Sequence, residues 1–181
     1  MEENLLIEKA SKGNEEAFRQ LYEKYKRSLF IVCLRYANGR VEAEDFLQEA
    51  FINIYKGLKQ FDPSRGIFEF WARRITINVC LEKIRKQSLF AVSLGGHDTE
   101  EVSPDALSDL SLKELLELVN ELPFGYKTVF NMYVIDGYSH KEIASHLNIS
   151  VNTSKTQLMK ARQNLKSAFI KKNNVVKVSH G

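Results

Sequence analysis

The most constraining stretch of this sequence is residues 136–165, which predict two short helices joined by a tight turn. Ser139 and Glu142 have the spacing of a capping box, a signature of a helix start. Asn148 tolerates a left-handed conformation and can therefore end that helix. Two helices connected in this way form a helix-turn-helix.

The second of these helices has a clear apolar face. Leu158, Ala161 and Leu165 recur at intervals of three and four residues, as the buried side of an amphipathic helix does. Either Ser150 or Asn152 can cap its first turn, because both side chains accept hydrogen bonds from free backbone N–H groups.

The opposite face carries hydroxyl and amide groups at the start of the helix and cations behind them. This order is typical of a helix that reads base edges in the major groove while its cations hold phosphates. The candidate DNA contacts are Asn152, Thr153, Lys155, Thr156, Lys160 and Arg162. A plain helical hairpin with a solvated basic face is the alternative, because any such hairpin shares the capping pattern.

The rest of the chain also predicts helices, and no strand-rich segment occurs. Residues 88–109 lack periodicity and contain glycine, proline and acidic residues, so they predict a flexible linker. The fold class is therefore all-α, with two small helical domains. The predicted organisation is a first domain over 1–87, an acidic linker over 88–110, a second domain over 111–172 and a frayed tail over 173–181.

Charge is unevenly distributed along the chain, although the net charge is only +3. Residues 62–97 carry six basic and three acidic side chains, and residues 113–181 carry ten basic and five acidic. The acidic strip between them, residues 98–112, has five acidic side chains and no basic one. Two basic blocks of this kind indicate contact with nucleic acid.

The predicted fourth helix, residues 67–87, interleaves aromatic and basic side chains. That composition suits single-stranded nucleic acid, whose bases stack on rings while cations follow the backbone. The alternative is that the aromatics form the core. Trp71 has helical spacing from Phe68 and Ile75, which favours a core position for this ring.

Several functional classes find no support in the sequence. Cys33 and Cys80 fall within apolar helical patterns, which predicts packed thiols in a reducing compartment. The four histidines do not form a ligand set, so no metal and no other cofactor is expected. An acidic N-terminus and the lack of a long apolar run predict a cytoplasmic protein without membrane insertion. No nucleotide-binding or nucleophile motif of an enzyme appears.

Two blocks of the sequence carry separate motifs, over residues 43–51, 61–63 and 70–78 in the first block and residues 122–123, 133–143 and 150–162 in the second. Together and in this order, these motifs resemble those of bacterial RNA polymerase sigma factors of the extracytoplasmic-function (ECF) group. The first block is similar to region 2 of that family, and the second is similar to region 4.

The resemblance implies an initiation factor without catalytic activity. Its partners would be core RNA polymerase, bound through the clamp helices of the largest subunit, and promoter DNA, both duplex and melted non-template strand. An anti-sigma factor is a further partner that the resemblance implies. The polymerase-binding residues it implies are Asp45, Phe46, Leu47, Gln48 and Glu49.

Promoter contacts follow from the same resemblance. The residues implied for the −10 element are Phe61, Ser64, Arg65, Arg74 and Asn78, and the −35 element would be read by the predicted helix-turn-helix. Asn152 and Ser154 depart from the family, which often has glycine and an aliphatic residue there, and Glu82 replaces a usual aspartate. A helix-turn-helix regulator that acts without polymerase is the competing hypothesis, but it would need neither the acidic helix over 43–51 nor the segment over 71–78.

Overall fold

The computed structural model of the protein describes residues 2–94 and 116–178, with side chains over 2–86 and 116–171. The regular secondary structure of these residues is entirely helical, and none of these residues forms a strand. The chain divides into two compact units, Met1–Glu101 and Val102–Gly181. This confirms the predicted fold class. The finer domain boundaries stay predictions.

The first unit is a helical bundle. Its second helix is capped by Asn14, whose side chain accepts a hydrogen bond from the Ala17 N–H at 2.8 Å. The elements that the structure describes in this unit are α1 (Glu2–Ser11), α2 (Glu15–Tyr36), α3 (Arg40–Gly57), a 3-10 turn (Leu58–Gln60) and α4 (Phe68–Leu94).

Apolar faces of all four helices meet in one core. Leu21 and Leu29 of α2 pack there with Ile54 of α3 and Ala72 of α4. Trp71 is half-buried against this core, and its ring centroid lies 5.2 Å from that of Phe61. The core interpretation of Trp71 is therefore confirmed.

The structure extends α4 beyond its predicted end. Residues 88–94, assigned to the linker by sequence, continue the helix to Leu94. Neither glycine nor proline interrupts residues 68–94, and the first glycine stands at Gly95, so nothing local stops the helix earlier. The remainder of the predicted linker, residues 95–110, lies outside the described residues.

The second unit contains the predicted helix-turn-helix. Pro123 stands immediately before its helix Phe124–Phe130. The elements described are a helical segment over residues 116–120 (α5), α6 (Phe124–Phe130), a π-helical turn (Asn131–Ile135), α7 (His140–Leu147) and α8 (Val151–Val178).

The helix that begins at Phe124 ends in a π-helical turn, in which the Asp136 N–H donates to the Asn131 carbonyl at 2.9 Å. The last helix, α8, continues to Val178 without a glycine or proline. The frayed tail over 173–181 stays a prediction.

Gly57 at the end of α3 lies against the Trp71 ring, and a Cβ there would come within 3.1 Å of it. We expect Gly57→Ala to lower the free energy of unfolding by about 1 kcal/mol, because Trp71 is already packed between neighbouring rings. Trp71 is the single tryptophan of the chain, so its fluorescence reports the displacement directly.

Gly66→Ala is the matched control, since a Cβ there meets nothing within 4 Å. Both variants are compared by chemical denaturation followed through the Trp71 signal. Equal stability of the two variants, with unchanged fluorescence, would contradict the proposed packing of Gly57 against Trp71.

Candidate nucleic-acid and protein interfaces

Local hydrogen bonds fix the geometry of the helix-turn-helix. Ser139 and Glu142 form the predicted capping box, with the Ser139 N–H donating to the Glu142 carboxylate at 2.8 Å. Asn148 adopts the predicted left-handed conformation, with φ 54° and ψ 46°. Ser150 caps α8, because its hydroxyl accepts a hydrogen bond from the Thr153 N–H at 2.9 Å. The choice between Ser150 and Asn152 is thereby decided, and Asn152 lies within the helix.

One face of α8 is buried against its unit. Ser154 and Ala161 are completely buried, and Leu158 is 5% exposed. At about 100° per residue, the six candidate DNA contacts all fall in the half of the helix surface opposite Ser154 and Ala161. All six are exposed: Asn152, Thr153, Lys155, Thr156, Lys160 and Arg162. The structure therefore brings the whole predicted set onto one surface.

The edges of this surface differ from its centre. Lys160 lies at one edge, where its Nζ stands 5.9 Å from the ring centroid of Tyr126 in α6. Lys155 and Arg162 lie at the other edge, close enough to His140 of α7 to influence its charge. The centre holds Met159, which is 51% exposed.

Met159 and Gln163 are surface residues that the sequence analysis missed. They follow Thr156 by three and seven residues and therefore lie on the same face. An exposed methionine outside the apolar stripe of Leu158 and Ala161 was the available signal. Its chemistry suits a DNA-reading surface, because apolar side chains contact the methyl group of thymine in the major groove.

His140 was also missed, because the histidines were considered only as metal ligands. Its Nδ1 lies 2.9 Å from the buried hydroxyl of Ser154, and its ring stacks on Tyr133 with the centroids 4.4 Å apart. Burial lowers the pKa of His140, and the positive charges of Lys155 and Arg162 lower it further. His140 is therefore in contact with the helix that carries the candidate DNA contacts.

The loop between α3 and α4 is organised by Asp62. Its carboxylate accepts hydrogen bonds from the Ser64 N–H at 2.9 Å and the Ser64 hydroxyl at 2.7 Å, which lower the pKa of the carboxyl group. Arg65 is also held, with its Nε 3.5 Å from the same carboxylate. Ser64 and Arg65 are both exposed, so the loop presents two of the −10 candidates together.

Phe61 is the least exposed of the −10 candidates. Its ring is half-buried and packs edge-on against Phe68 at a centroid distance of 5.3 Å. Phe61 also lines a cleft of about 550 Å³ together with Leu5 and Leu58. Its ring therefore packs partly against the bundle, and its contact with the −10 element stays a prediction.

Phe70 is a more exposed aromatic ring on α4. It is 65% exposed and lies one helical turn before Arg74, which lies one turn before Asn78. All three side chains are exposed on the first part of α4. Aromatic, cationic and amide groups thus follow one another along one stripe, and only Phe70 was absent from the predicted set. The signal was its position outside the Phe68–Trp71 core pattern.

The acidic helix α3 presents fewer of its predicted contacts than expected. Asp45 and Gln48 are exposed, but Phe46 is 2% exposed and Leu47 packs against the core. Glu49 is half-exposed and forms an ion pair with Lys83 of α4 at 2.5 Å. Phe46 and Leu47 hold the helix in place, because they belong to its inward face.

Exposed apolar residues extend the surface of α3 around Asp45 and Gln48. Val41 is 68% exposed, Ile52 47% and Tyr55 43%. With Asp45 and Gln48 they recur at intervals of four and three residues, which places them on one helical face. We call this set, Val41, Asp45, Gln48, Ile52 and Tyr55, the α3 stripe. An apolar stripe with an acidic centre is suited to binding a helical partner.

Other kinds of site are not seen in the described part of the chain. No group of three or more potential ligands there could hold a metal ion. No helix among the described residues is long and apolar enough to cross a membrane. Cys33 and Cys80 are both buried, as the apolar patterns predicted, and neither forms a disulfide within the described part of the chain.

Comparison with known proteins agrees with this geometry. Sigma-70 region 2 matches residues 21–90, and Sigma-70, region 4 matches residues 112–165. The ECF RNA polymerase sigma factor SigW of Bacillus subtilis (strain 168) is 33% identical over 174 residues, which cover 88% of this chain and 92% of SigW. The chain belongs to the ECF RNA polymerase sigma factors.

Further relatives lie within the same family. The ECF RNA polymerase sigma-E factor of Escherichia coli (strain K12) is 26% identical over 177 residues, covering 89% of this chain and 91% of the relative. In fold, the chain is similar to the sigma factor RpoE of Bartonella quintana, solved with the anti-sigma factor NepR. That likeness has a TM-score of 0.56 and 18% identity, and it covers 83% of this chain and 94% of RpoE.

Membership of the family gives the surfaces their context. As an ECF sigma factor, the chain binds core RNA polymerase and recognises promoter DNA in transcription initiation. The region 2 match includes the α3 stripe, the Asp62 loop and the exposed stripe of α4, whereas the region 4 match includes the helix-turn-helix. The hypothesis of a regulator that acts without polymerase is therefore set aside.

Proposed function

We propose that this sigma factor divides its contacts among three surfaces. The α3 stripe binds the clamp helices of the largest polymerase subunit. The Asp62 loop and the exposed part of α4 bind the −10 element as it melts, and the outer half of α8 reads the −35 element as duplex. The assignment of α8 carries the proposal, because all six predicted contacts lie on its exposed half.

The chemistry of each surface matches its proposed ligand. Duplex DNA offers base edges and phosphates to a rigid helix, and α8 supplies hydroxyl, amide and cationic groups. Melted DNA offers bare base faces, and Phe70 beside Arg74 and Asn78 supplies a ring, a cation and an amide. A helical protein partner offers apolar and basic side chains, and the α3 stripe supplies apolar groups around Asp45.

The remaining functional assignments follow from the family. We propose that the chain acts without catalysis of its own, in the cytoplasm, where the polymerase and the promoter are. An anti-sigma factor is its proposed regulatory partner. The sigma factor RpoE, to which the chain is similar in fold, was solved as a complex with such a factor.

Charge reversal at Asp45 tests the polymerase surface. We expect Asp45→Lys to abolish both co-purification with core polymerase and protein-dependent run-off transcripts from a library of upstream regions. Asp45 is exposed and forms no hydrogen bond or ion pair with another described residue, so we expect the substitution to leave the bundle intact. Circular dichroism and thermal unfolding check that the variant folds.

Glu15→Lys provides the control for a change of two charge units on another exposed helix position. It should bind polymerase and support transcription like the natural chain. Retention of polymerase by Asp45→Lys would exclude the α3 stripe as the contact. An absence of transcripts with the natural chain would count against the function itself.

Alanine substitution of Lys155 or Lys160 tests the −35 surface. Each variant should weaken holoenzyme binding to promoter duplex, and loss of one phosphate contact should reduce the salt slope of the affinity by about one. Affinity is measured by fluorescence anisotropy at several salt concentrations.

Lys9→Ala is the control, because Lys9 is an exposed cation on α1, outside all three surfaces. A salt slope that is the same for Lys155→Ala, Lys160→Ala and Lys9→Ala would mean that neither α8 lysine contacts a phosphate.

Phe70 is the test of the −10 surface. We expect Phe70→Ala to reduce promoter opening roughly tenfold, because stacking of a base on an aromatic ring contributes about 1–3 kcal/mol. Opening is measured by permanganate reactivity of the melted thymines. Holoenzyme binding to closed duplex should not change, since Phe70 acts only on unstacked bases.

Phe70→Tyr keeps the ring and should open promoters normally. Phe70 is 65% exposed, so neither substitution should alter folding. Normal opening by Phe70→Ala would remove this ring from the −10 surface and leave the Asp62 loop with Arg74 and Asn78.

A further inference from the structure

A single side chain joins the beginnings of the two helices of the helix-turn-helix. His140 is the first residue of α7, and its Nδ1 lies 2.9 Å from Ser154 Oγ in the first turns of α8. Ser154 is completely buried. A hydroxyl removed from water in this way loses free energy unless it is hydrogen-bonded, so the contact fixes the relation between the two helices.

The other side of the His140 ring is also occupied. It stacks on Tyr133 with the two ring planes 22° apart and the centroids 4.4 Å apart. Tyr133 lies in the middle of the π-helical turn Asn131–Ile135. His140 therefore contacts three successive elements, since its ring is held between the π-helical turn and α8 while its backbone begins α7.

The position of Ser154 connects this contact to DNA binding. Ser154 lies between Thr153 and Lys155, both of which are exposed and belong to the proposed −35 surface. Rotation of α8 about its axis would move Ser154 and these two neighbours together, because they share one helical backbone. Holding Ser154 on the inside consequently holds Thr153 and Lys155 on the outside.

We propose that His140 is a positioning residue for duplex recognition, which sets the rotation of α8 by binding Ser154 and so directs Thr153 and Lys155 towards the DNA. The proposal rests on the proposed role of α8 at the −35 element. His140 acts through Ser154, and its ring is supported by Tyr133.

Protonation of His140 gives this contact a measurable signature. The Ser154 hydroxyl donates to Nδ1 of the neutral ring and accepts from Nδ1–H of the charged ring, so the hydrogen bond persists in both states. The groups that face the ring from packed elements are Lys155 and Arg162 of α8 and Tyr133 of the π-helical turn. The two cations and burial lower the pKa of His140 in the free protein.

DNA binding reverses part of that effect. Phosphates near Lys155 and Arg162 offset their positive charge, which raises the pKa of His140 in the complex. Binding then takes up protons, so the affinity for duplex is higher at low pH and falls as pH rises through the pKa of the bound state. This dependence reports the charge of His140 near Lys155 and Arg162, whereas the positioning role is tested separately through Ser154.

Four variants in reconstituted holoenzyme separate these contributions. Ser154→Ala removes the hydrogen bond and keeps the titrating ring. His140→Phe keeps the stacked ring but removes both the bond and the charge. His140→Asn places an amide near the position of Nδ1 and removes the charge. The double variant, with His140→Phe and Ser154→Ala, completes a thermodynamic cycle.

The measurement is affinity for a duplex from a promoter found by run-off transcription, between pH 6 and pH 8, at a temperature where every variant is folded. We expect Ser154→Ala and His140→Phe each to weaken binding roughly tenfold. The double variant should bind no more weakly than either single variant, because both substitutions remove the same hydrogen bond. His140→Asn should recover most of the loss. The rise in affinity towards pH 6 should persist in Ser154→Ala and disappear in both His140 single variants.

Lower melting temperatures with unchanged affinity and unchanged pH dependence would overturn the proposal and leave the contact a structural one. Additive effects of the two substitutions would overturn it as well. Failure of the natural chain to direct any transcription would instead count against the proposed function, so the two failures are distinguishable.

Discussion

Burial of one face of α8 is the constraint on which the second unit depends. Ser154, Leu158 and Ala161 are withdrawn from water, and together they determine which half of the helix remains outside. The left-handed Asn148 and the Ser150 cap shape the turn before α8 and so allow this arrangement, but they do not decide which face of α8 is buried. Apolar burial supplies most of the free energy, because each large buried side chain contributes about 1.5–3 kcal/mol. The hydrogen bond between Ser154 and His140 adds a directional contact, which apolar packing lacks.

Burial also decides which side chains of the first unit remain exposed. The aromatic residues at the start of α4 are close together in sequence, but some pack in the core and one lies on the surface. Phe68 and Trp71 pack inward around Phe61, and Phe70 between them is left in water. The packed rings of Phe61, Phe68 and Trp71 connect the Asp62 loop to the core of the bundle. A surface that captures melted DNA benefits from such a connection, because the bases lose much of their freedom on binding and the protein should lose little.

Local patterns in the sequence predicted the parts of this fold that depend on neighbours along the chain. The capping box at Ser139 and the left-handed Asn148 are both confirmed, since each involves residues within four positions. Side chains that depend on distant partners were harder to assign. Phe46 and Phe61 were expected to bind ligands, but Phe46 is 2% exposed and Phe61 is half-buried, because helical spacing alone does not tell which aromatic faces inward. Their contacts with ligands stay predictions.

The pairing of His140 with Ser154 shows the same limit in another form. The two residues stand fourteen positions apart, and neither has a pattern of its own. The end of α4 differs from the prediction for another reason. Composition assigned residues 88–94 to the linker, but the helix continues to Leu94, because no glycine or proline interrupts it. Family resemblance predicted the three binding surfaces, and they stay predictions. Exposure and contacts then show which residue of each motif is available to a ligand.

The modest charge of the second unit explains why two DNA-binding surfaces are useful on one chain. Residues 113–181 carry ten basic and five acidic side chains, and α8 contributes only three cations to its proposed surface. Each neutralised phosphate changes the logarithm of affinity by about 0.9 per tenfold change in salt, so a handful of contacts gives weak binding at physiological salt. Because both units belong to one chain, binding of the first unit to its element would raise the effective concentration of the second unit for the other element. If the proposed surfaces act in this way, weak single contacts are an advantage, because a promoter that matches only one surface would be released and selection would depend on both elements together.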